Sequence, residues 1–306
     1  CIIVKEIPGR YLETEEIRQL IKDSLKSGKD IELPLYKTEP AVSSKMFEGI
    51  DKKLGEFTTD YSKSEKNRKK NIKLGARFFN NMILGPGKEI SFNKTIGDIS
   101  EENGFKSAGV IVNGEFDRGI GGGICQVSTT LYNALIRADL EIIERSNHTR
   151  PISYVPLGTD AAVARGSKDL KFKNNTNHNI YITSKADGEN LSFMVYGNSE
   201  DRDYKINIVP KLLEVIEPDT IKEYSDKIPN GEVEVKKSGS KGYSYVTYKE
   251  IVKDDEIVKT ETLSKSYYIP QDRVVVIGDG EDSDDNDSNK NSDWEFQGNS
   301  FLLISI

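Results

Sequence analysis

Cysteine is nearly absent: the 306 residues contain only Cys1 and Cys125. That rules out a disulfide framework and a thiolate-rich metal site, both of which need several cysteines. Histidine is as scarce, with His148 and His178 alone. Long apolar runs are missing too. No stretch approaches the roughly 18 residues that cross a bilayer. The opening Cys-Ile-Ile-Val-Lys-Glu has neither the basic nor the long apolar region of a signal peptide. The chain starts without Met, so any membrane attachment is expected only through an anchor or export signal upstream, and Cys1 is assigned no role. Positive charge is not in excess: 43 Lys and Arg stand against 50 Asp and Glu, for a net charge of -7. Nucleic-acid partners, which draw on clustered Lys and Arg, are therefore disfavoured, as is charge-driven membrane contact. There is no H-E-x-x-H, no Walker A loop and no G-x-G-x-x-G order, so neither a metal nor a cofactor is implied.

What remains is a folding composition, 36% hydrophobic and 30% charged, with 14 Tyr and 11 Phe. The first fifty residues read as strand (Ile2 to Ile7), helix and strand (Ile31 to Tyr36), with Ile17, Leu20, Ile21 and Leu25 on one helical face before Gly28. One helix cannot cover a sheet, so this piece looks like the end of a larger domain. A second helix, carrying Ile72, Ala76, Phe79 and Ile83 on one face, is expected to run into the Gly85-Pro86-Gly87 break, with a strand through Ile90 and Phe92 after it. After Gly121-Gly122-Gly123 a helix from about Gln126 to Ala138 turns Val127, Leu131, Ala134, Leu135 and Ala138 toward a core. Beyond Asn198 the pattern is β alone, with strands expected at Glu232 to Lys236, Gly242 to Val252, Ile257 to Leu263 and Arg273 to Ile277. Asp279 to Asp293 is acidic and almost free of apolar residues, and reads as a flexible tail. The expected class is α+β: a mixed α/β domain followed by an all-β module.

The chemistry concentrates at Gly123-Ile124-Cys125-Gln126. A sulfur at a helix start sits among unpaired N-H groups and the positive end of the helix dipole, which favour a thiolate. The same N-H groups, from the turn containing Gly122 and Gly123, can receive an oxyanion. Without a Cβ, these glycines let a substrate carbonyl approach. A nucleophilic thiol needs a base, and His148 follows the Cys125 helix and one strand, whereas His178 lies in a polar Asn-rich turn. Arg145 and Arg150 flank His148 and are candidates for holding substrate carboxylates. Asp160, Asp169 and Asn174 all remain open as the group that orients the imidazole. Tyr154 and Asp160, in Tyr154-Val155-Pro156-Leu157-Gly158-Thr159-Asp160, join Arg145 as candidate substrate contacts.

These residues carry a resemblance. Gly121 to Asn133, then Glu144-Arg145 with His148, Tyr154-Val155-Pro156 and Asp160-Ala161, resemble the VanW family, first named from vancomycin-resistance clusters. Phe57-Thr58-Thr59, Arg68 with Asn71-Ile72, Pro86-Gly87, Ser91-Phe92-Asn93 and Asp169 to Asn174 extend the match. Residues 1–50 resemble part of a peptidoglycan-binding repeat, 51–200 the VanW catalytic domain and 205–279 a G5 domain, with 280–306 as tail. In the G5 pattern Asp254-Asp255 stands where Asn-Gly is usual. The resemblance implies a peptidoglycan L,D-transpeptidase, forming 3-3 crosslinks through an acyl-enzyme on Cys125 with His148 as proton carrier. Its partners would be stem peptides and glycan, outside the cytoplasm of a Gram-positive bacterium. The alternatives are a noncatalytic wall-binding protein and a cysteine peptidase of the same stem peptides. No oligomeric state follows.

Overall fold

The computed structural model describes residues 5–112 and 115–280. Cys1 and nearly all of the expected acidic tail lie outside the described residues. By its contacts the chain divides into two units. The first takes in the residues up to Glu217 together with Lys241–Pro270, and the second is Pro218–Ser240 with the residues from Gln271 onward.

At the start of the first unit, β1 (Gly9–Tyr11) and β2 (Tyr36–Thr38) pair antiparallel around α1 (Thr14–Ser27). The helix ends as expected, with Gly28 in the left-handed region at φ 65° closing the last turn. The expected strand Ile2 to Ile7 lies partly outside the described residues, and β2 starts only at the end of the expected Ile31 to Tyr36, because backbone pairing rather than local apolarity decides where a short strand forms. The apolar face of α1 stays largely open, with Leu25 81% exposed.

The core of this unit is built from β3 (Lys52–Asp60), α2 (Lys66–Arg77), β4 (Met82–Leu84), β5 (Glu89–Ser91), α3 (Phe92–Ile96), β6 (Ser107–Val112), β7 (Glu115–Ile120), α4 (Ile124–Arg137), β8 (Glu141–Glu144), β9 (Lys171–Lys173), β10 (Ile180–Ala186) and β11 (Asn190–Gly197). An antiparallel sheet in the order β3-β11-β10-β4 forms its floor. Alternation along β11 sends Leu191, Phe193 and Val195 inward and fully buries them. α4 lies on β3 and β11 through Val127, Leu131, Ala134 and Leu135, all fully buried. Burying each such Leu or Val side chain contributes about 1.5–3 kcal/mol. The close seat depends on Gly55 in β3: a Cβ there would stand 2.4 Å from the Ala134 carbonyl oxygen.

Two expectations fail locally. α2 stops at Arg77 rather than running on to Ile83, because Asn81 takes a left-handed turn at φ 60° and β4 pairs with β10 instead. Phe92 opens α3 rather than continuing β5, since the Ser91 hydroxyl caps that helix by accepting from the Lys94 N-H.

Downstream come β12 (Lys205–Ile216), β13 (Thr220–Pro229), β14 (Val233–Lys237), β15 (Gly242–Lys253), β16 (Glu256–Tyr268) and β17 (Arg273–Gly280). This C-terminal region is all-β, so the chain combines mixed helices and sheets with a β region, as the class expectation held. β12-β15-β16 form an antiparallel sheet within the first unit. β13-β17-β14 form the second unit's sheet, with β13 and β17 parallel. The Asp254-Asp255 turn joins β15 to β16 with both residues at positive φ, 52° and 64°, the backbone that Asn-Gly ordinarily supplies in a two-residue hairpin. β12 and β13 are additions to the strands read from the sequence. The division by contacts does not follow a boundary at 205, since β12, β15 and β16 group with the residues that carry Cys125.

Candidate active site

Cys125 is the second residue of α4, and Gly123 before the helix has φ 107° and ψ -12°, a conformation that glycine alone adopts without strain. The turn is also packed too closely for side chains. A Cβ on Gly122 would lie 2.5 Å from the Gly109 carbonyl oxygen, and one on Gly123 would lie 2.9 Å from Ile72 Cγ1. Buried Asn71 of α2 fastens the turn: its amide donates to the carbonyls of Lys106 at 2.8 Å and Gly122 at 3.0 Å, and its oxygen accepts from the Lys106 N-H at 2.8 Å. The N-H groups of Ile124, Gln126 and Val127 bond back to Gly121 and Gly123. Those of Gly122, Gly123 and Cys125 have no partner among the described residues, leaving three donors at the positive end of a 14-residue helix.

The polar face of the same helix fixes the segment that meets the sulfur. Ser128 Oγ donates to the Ala161 carbonyl at 2.6 Å, Thr129 Oγ1 accepts from the Ala161 N-H at 3.0 Å, and the Asn133 amide donates to the Thr159 carbonyl at 2.6 Å. These bonds clamp the backbone on both sides of Asp160. Ala162 in turn donates to the Ser146 carbonyl at 2.7 Å, which brings the stretch containing His148 alongside.

His148 binds Asp160 twice, its backbone N-H at 2.7 Å and its ring Nδ1 at 2.6 Å from the same carboxylate oxygen. With Nδ1 committed, Nε2 is left for the cavity side, where Tyr154 Oη stands at 3.5 Å. The imidazole is the charge partner of Cys125, whose Sγ donates to the Val163 carbonyl at 3.4 Å. Burial alone would raise the thiol, but the hydrogen bond and charge of His148 outweigh it and hold the thiol below its ordinary value. Burial alone would lower the imidazole; the bonds to Asp160 and Cys125 reverse this and push it up to about 9. Asp160 is depressed although burial opposes it, because His148 and Arg145 favour its charged form. All three directions favour the charged forms of a thiol, an imidazole and a carboxylate set in a row.

Asp160 is wholly buried, and its other oxygen accepts from Arg145 Nη2 at 3.1 Å and Tyr268 Oη at 2.5 Å. Tyr268 is fully buried at the end of β16, and its oxygen also accepts the Gly158 N-H at 2.7 Å. Arg145 spends the rest of its fork on the carbonyls of Asp160 and Gly158 and on Ser266 Oγ.

The cavity in front of Cys125 measures about 820 Å³ and is bounded by the glycine turn, His148, Tyr154, Val163, Arg68 and Arg165 among others. Of the sequence candidates it therefore collects Cys125, His148, Gly122, Gly123 and Tyr154. Arg145 and Asp160 do not reach it. They stand behind the imidazole with their polar atoms already bonded, which corrects the expectation that they touch substrate. Arg150 Nη1 donates to the carbonyls of Ile269 and Pro270, and Arg150 does not line this cavity. Asp169 caps the β5–α3 junction through Ser91 and the Asn93 N-H, and Asn174 ties the carbonyls of Leu84 and His178, so neither approaches His148. His178 pairs with Asp201 at 3.0 Å, away from this cavity. Sequence reasoning missed Asn71, the Ser128-Thr129-Asn133 clamp and Tyr268. The polar residues on an otherwise buried helix were a readable signal for the clamp; Tyr268, more than a hundred residues from Asp160, left none.

The class this geometry defines is an α+β protein with a thiol, imidazole and carboxylate aligned at a helix N-terminus. Residues 67–196 match the family described as VanW like protein, and residues 212–279 match the G5 domain. The chain thus carries a VanW-like domain followed by a G5 domain. Among curated relatives, the uncharacterized protein YoaR of Bacillus subtilis is 40% identical over 182 residues, 59% of this chain and 60% of that protein. The vancomycin B-type resistance protein VanW of Enterococcus faecalis is 30% identical over 148 residues, 46% of this chain and 54% of that one. The chain spans little more than half the length of these relatives. Among solved structures, HP0197-G5 is 20% identical with a TM-score of 0.17, covering 24% of this chain and 99% of that one. The IgA1 protease G5 domain is 20% identical with a TM-score of 0.21, covering 26% and 95%.

Proposed function

We propose that this chain is a peptidoglycan acyltransferase of the L,D-transpeptidase type, acting in the cell wall or at the outer face of the membrane. The observation that carries the reading is the Cys125-His148-Asp160 row, opening on a cavity beside three N-H groups that have no partner among the described residues. The Cys125 thiolate attacks the carbonyl after the third residue of a donor stem peptide. The N-H groups of the Gly122-Gly123-Cys125 turn hold the oxyanion, where each such donor is worth about 2.7–4 kcal/mol in other enzymes. The C–N bond breaks, the departing D-alanine nitrogen takes the proton of the His148 imidazolium, and a thioester remains. The side-chain amine of a second stem then attacks the thioester and restores the thiol. Asp160 keeps the imidazole in the tautomer that places Nε2 toward sulfur. Support for the wall location comes from the VanW-like and G5 domains together.

Incubation with a disaccharide-tetrapeptide, with products read by mass, tests this. The expected result is loss of D-alanine with formation of a 3-3 dimer, abolished by Cys125→Ala. Tripeptide without dimer would make the protein a cysteine peptidase, and an unchanged substrate would leave a wall-binding role.

A further inference from the structure

The cavity holds a cation that the relay above does not use. Arg68 is half-buried on α2, and its methylene stem runs along the glycine turn: a Cβ on Gly123 would lie 3.1 Å from Arg68 Cγ. Its one hydrogen-bonded side chain among the described residues is Ser64, whose Oγ accepts from Nη1 at 2.7 Å. The other arginines of the cavity differ. Arg118 pairs with Glu65 and Arg165 with Asp98, and both are mostly exposed. Lys63 is exposed as well. Arg68 is thus a partly desolvated guanidinium with no carboxylate partner among the described residues, and most of its five donors remain available. Burial pulls it below its ordinary value, and the charges of Tyr154, Cys125 and Glu65 offset this only in part.

We propose that Arg68 is the carboxylate-recognition residue of this site, binding the free C-terminal carboxylate of the donor peptide one residue beyond the scissile amide. The inference rests on the peptide acyl-transfer reading and names the class of donor. A planar guanidinium matches a carboxylate in a two-point fork, which an ammonium cannot do. An amino acid leaving from Cys125 carries such a carboxylate, so its nitrogen takes the His148 proton while its carboxylate stays on Arg68. Arg145 and Arg150, the sequence candidates for this task, are bound elsewhere.

The test uses the full chain with Cys125→Ala, which binds donor without consuming it, and calorimetric titration with an L-Ala-γ-D-Glu-diamino acid-D-Ala tetrapeptide as its free acid and as its C-terminal carboxamide. The acid should bind about 10- to 100-fold more tightly, as expected for charge-assisted hydrogen bonds. Adding Arg68→Ala should equalise the two ligands, and Arg68→Lys should restore only part of the preference. Thermal melts check that each variant is folded. Equal binding of acid and amide with Arg68 present, no binding of either, or a preference that survives Arg68→Ala would overturn the proposal. If Arg68 instead only steadied the thiolate, its loss would weaken acid and amide alike. Thioester formation on Cys125 of the parent chain, read by intact mass, is scored separately. Acid preference without a thioester leaves Arg68 assigned and removes the catalytic reading; a thioester formed equally from acid and amide does the reverse.

Discussion

Removing the imidazole should make Cys125 an ordinary, slow thiol. With His148 protonated up to about 9, against 6.5 for a free imidazole, the folded site favours the imidazolium by about 3 kcal/mol at most. Hydrogen bonding to His148 and its charge together hold the thiol below its ordinary value of 9.0 against the opposing effect of burial. In His148→Ala the thiol loses both the hydrogen bond and the charge, while burial and the α4 N-terminus remain. A thiol returned to 9.0 is only about 1% ionised at pH 7, so its alkylation by iodoacetamide should slow by about 10- to 100-fold. The rate, followed by intact mass from pH 5 to pH 10, should level off at a lower pH in the parent chain than in the variant. Asp160→Asn keeps the shape but not the charge behind the ring, and should fall between the two. A neutral-pH rate in His148→Ala within about twofold of the parent would refute the ion pair, and with it the assignment of His148 over His178.

Four further outcomes follow from the same contacts. The raised His148 contributes stability that is complete below 6.5 and lost as pH rises through about 9, whereas the lowered Cys125 contributes stability complete above 9.0 and lost as pH falls. The two act in opposite directions, and Cys125→Ala removes the Cys125 contribution together with the part of the His148 shift that Cys125 supplies. The part held by Asp160 should then appear as a Tm that falls as pH rises above 6.5, over a narrower range than in the intact pair; a Tm that stayed level would mean that Asp160 does not hold the imidazolium. Tyr268→Phe removes the bond to Asp160 and the acceptor of the Gly158 N-H, and should cost about 1.5–3 kcal/mol in urea unfolding; a loss under about 0.5 kcal/mol would contradict its role. Asn71→Ala removes three hydrogen bonds, one to Gly122 and two to Lys106, and should cost roughly 2–4 kcal/mol while slowing Cys125 alkylation, against a reading of Asn71 as a mere filler. Gly55→Ala drives a methyl into the α4 backbone and should cost about 1–3 kcal/mol, whereas a neutral result would mean that α4 can shift off β3.

The helix that carries Cys125 was legible because its signals are local. Apolar residues at helical spacing mark the buried face of α4, and three glycines before Cys125 mark a turn with room for only backbone. The hairpin at Asp254-Asp255 was legible for the same reason, since two adjacent acidic residues between strands tolerate left-handed backbone. The far end of α2 misled, because Phe79 and Ile83 fit a helical face equally well whether they continue the helix or, as here, follow a reversal at Asn81.

Sequence alone settled which sulfur and which histidine to consider, since there was one thiol at a helix start and one histidine soon after it. Tertiary structure decided what surrounds them. Asp160, Asp169 and Asn174 are chemically similar and close in sequence, and only the α4 clamp brings one of them to the ring. Arg145 and Arg68 are both arginines, but one is enclosed by carbonyls and a carboxylate while the other faces open space. Tyr268 completes the site from a strand that sequence similarity assigns to the G5 domain. Such distinctions depend on contacts across many tens of residues, and residue spacing carries no record of which polar groups will have spent their hydrogen bonds once the chain has folded.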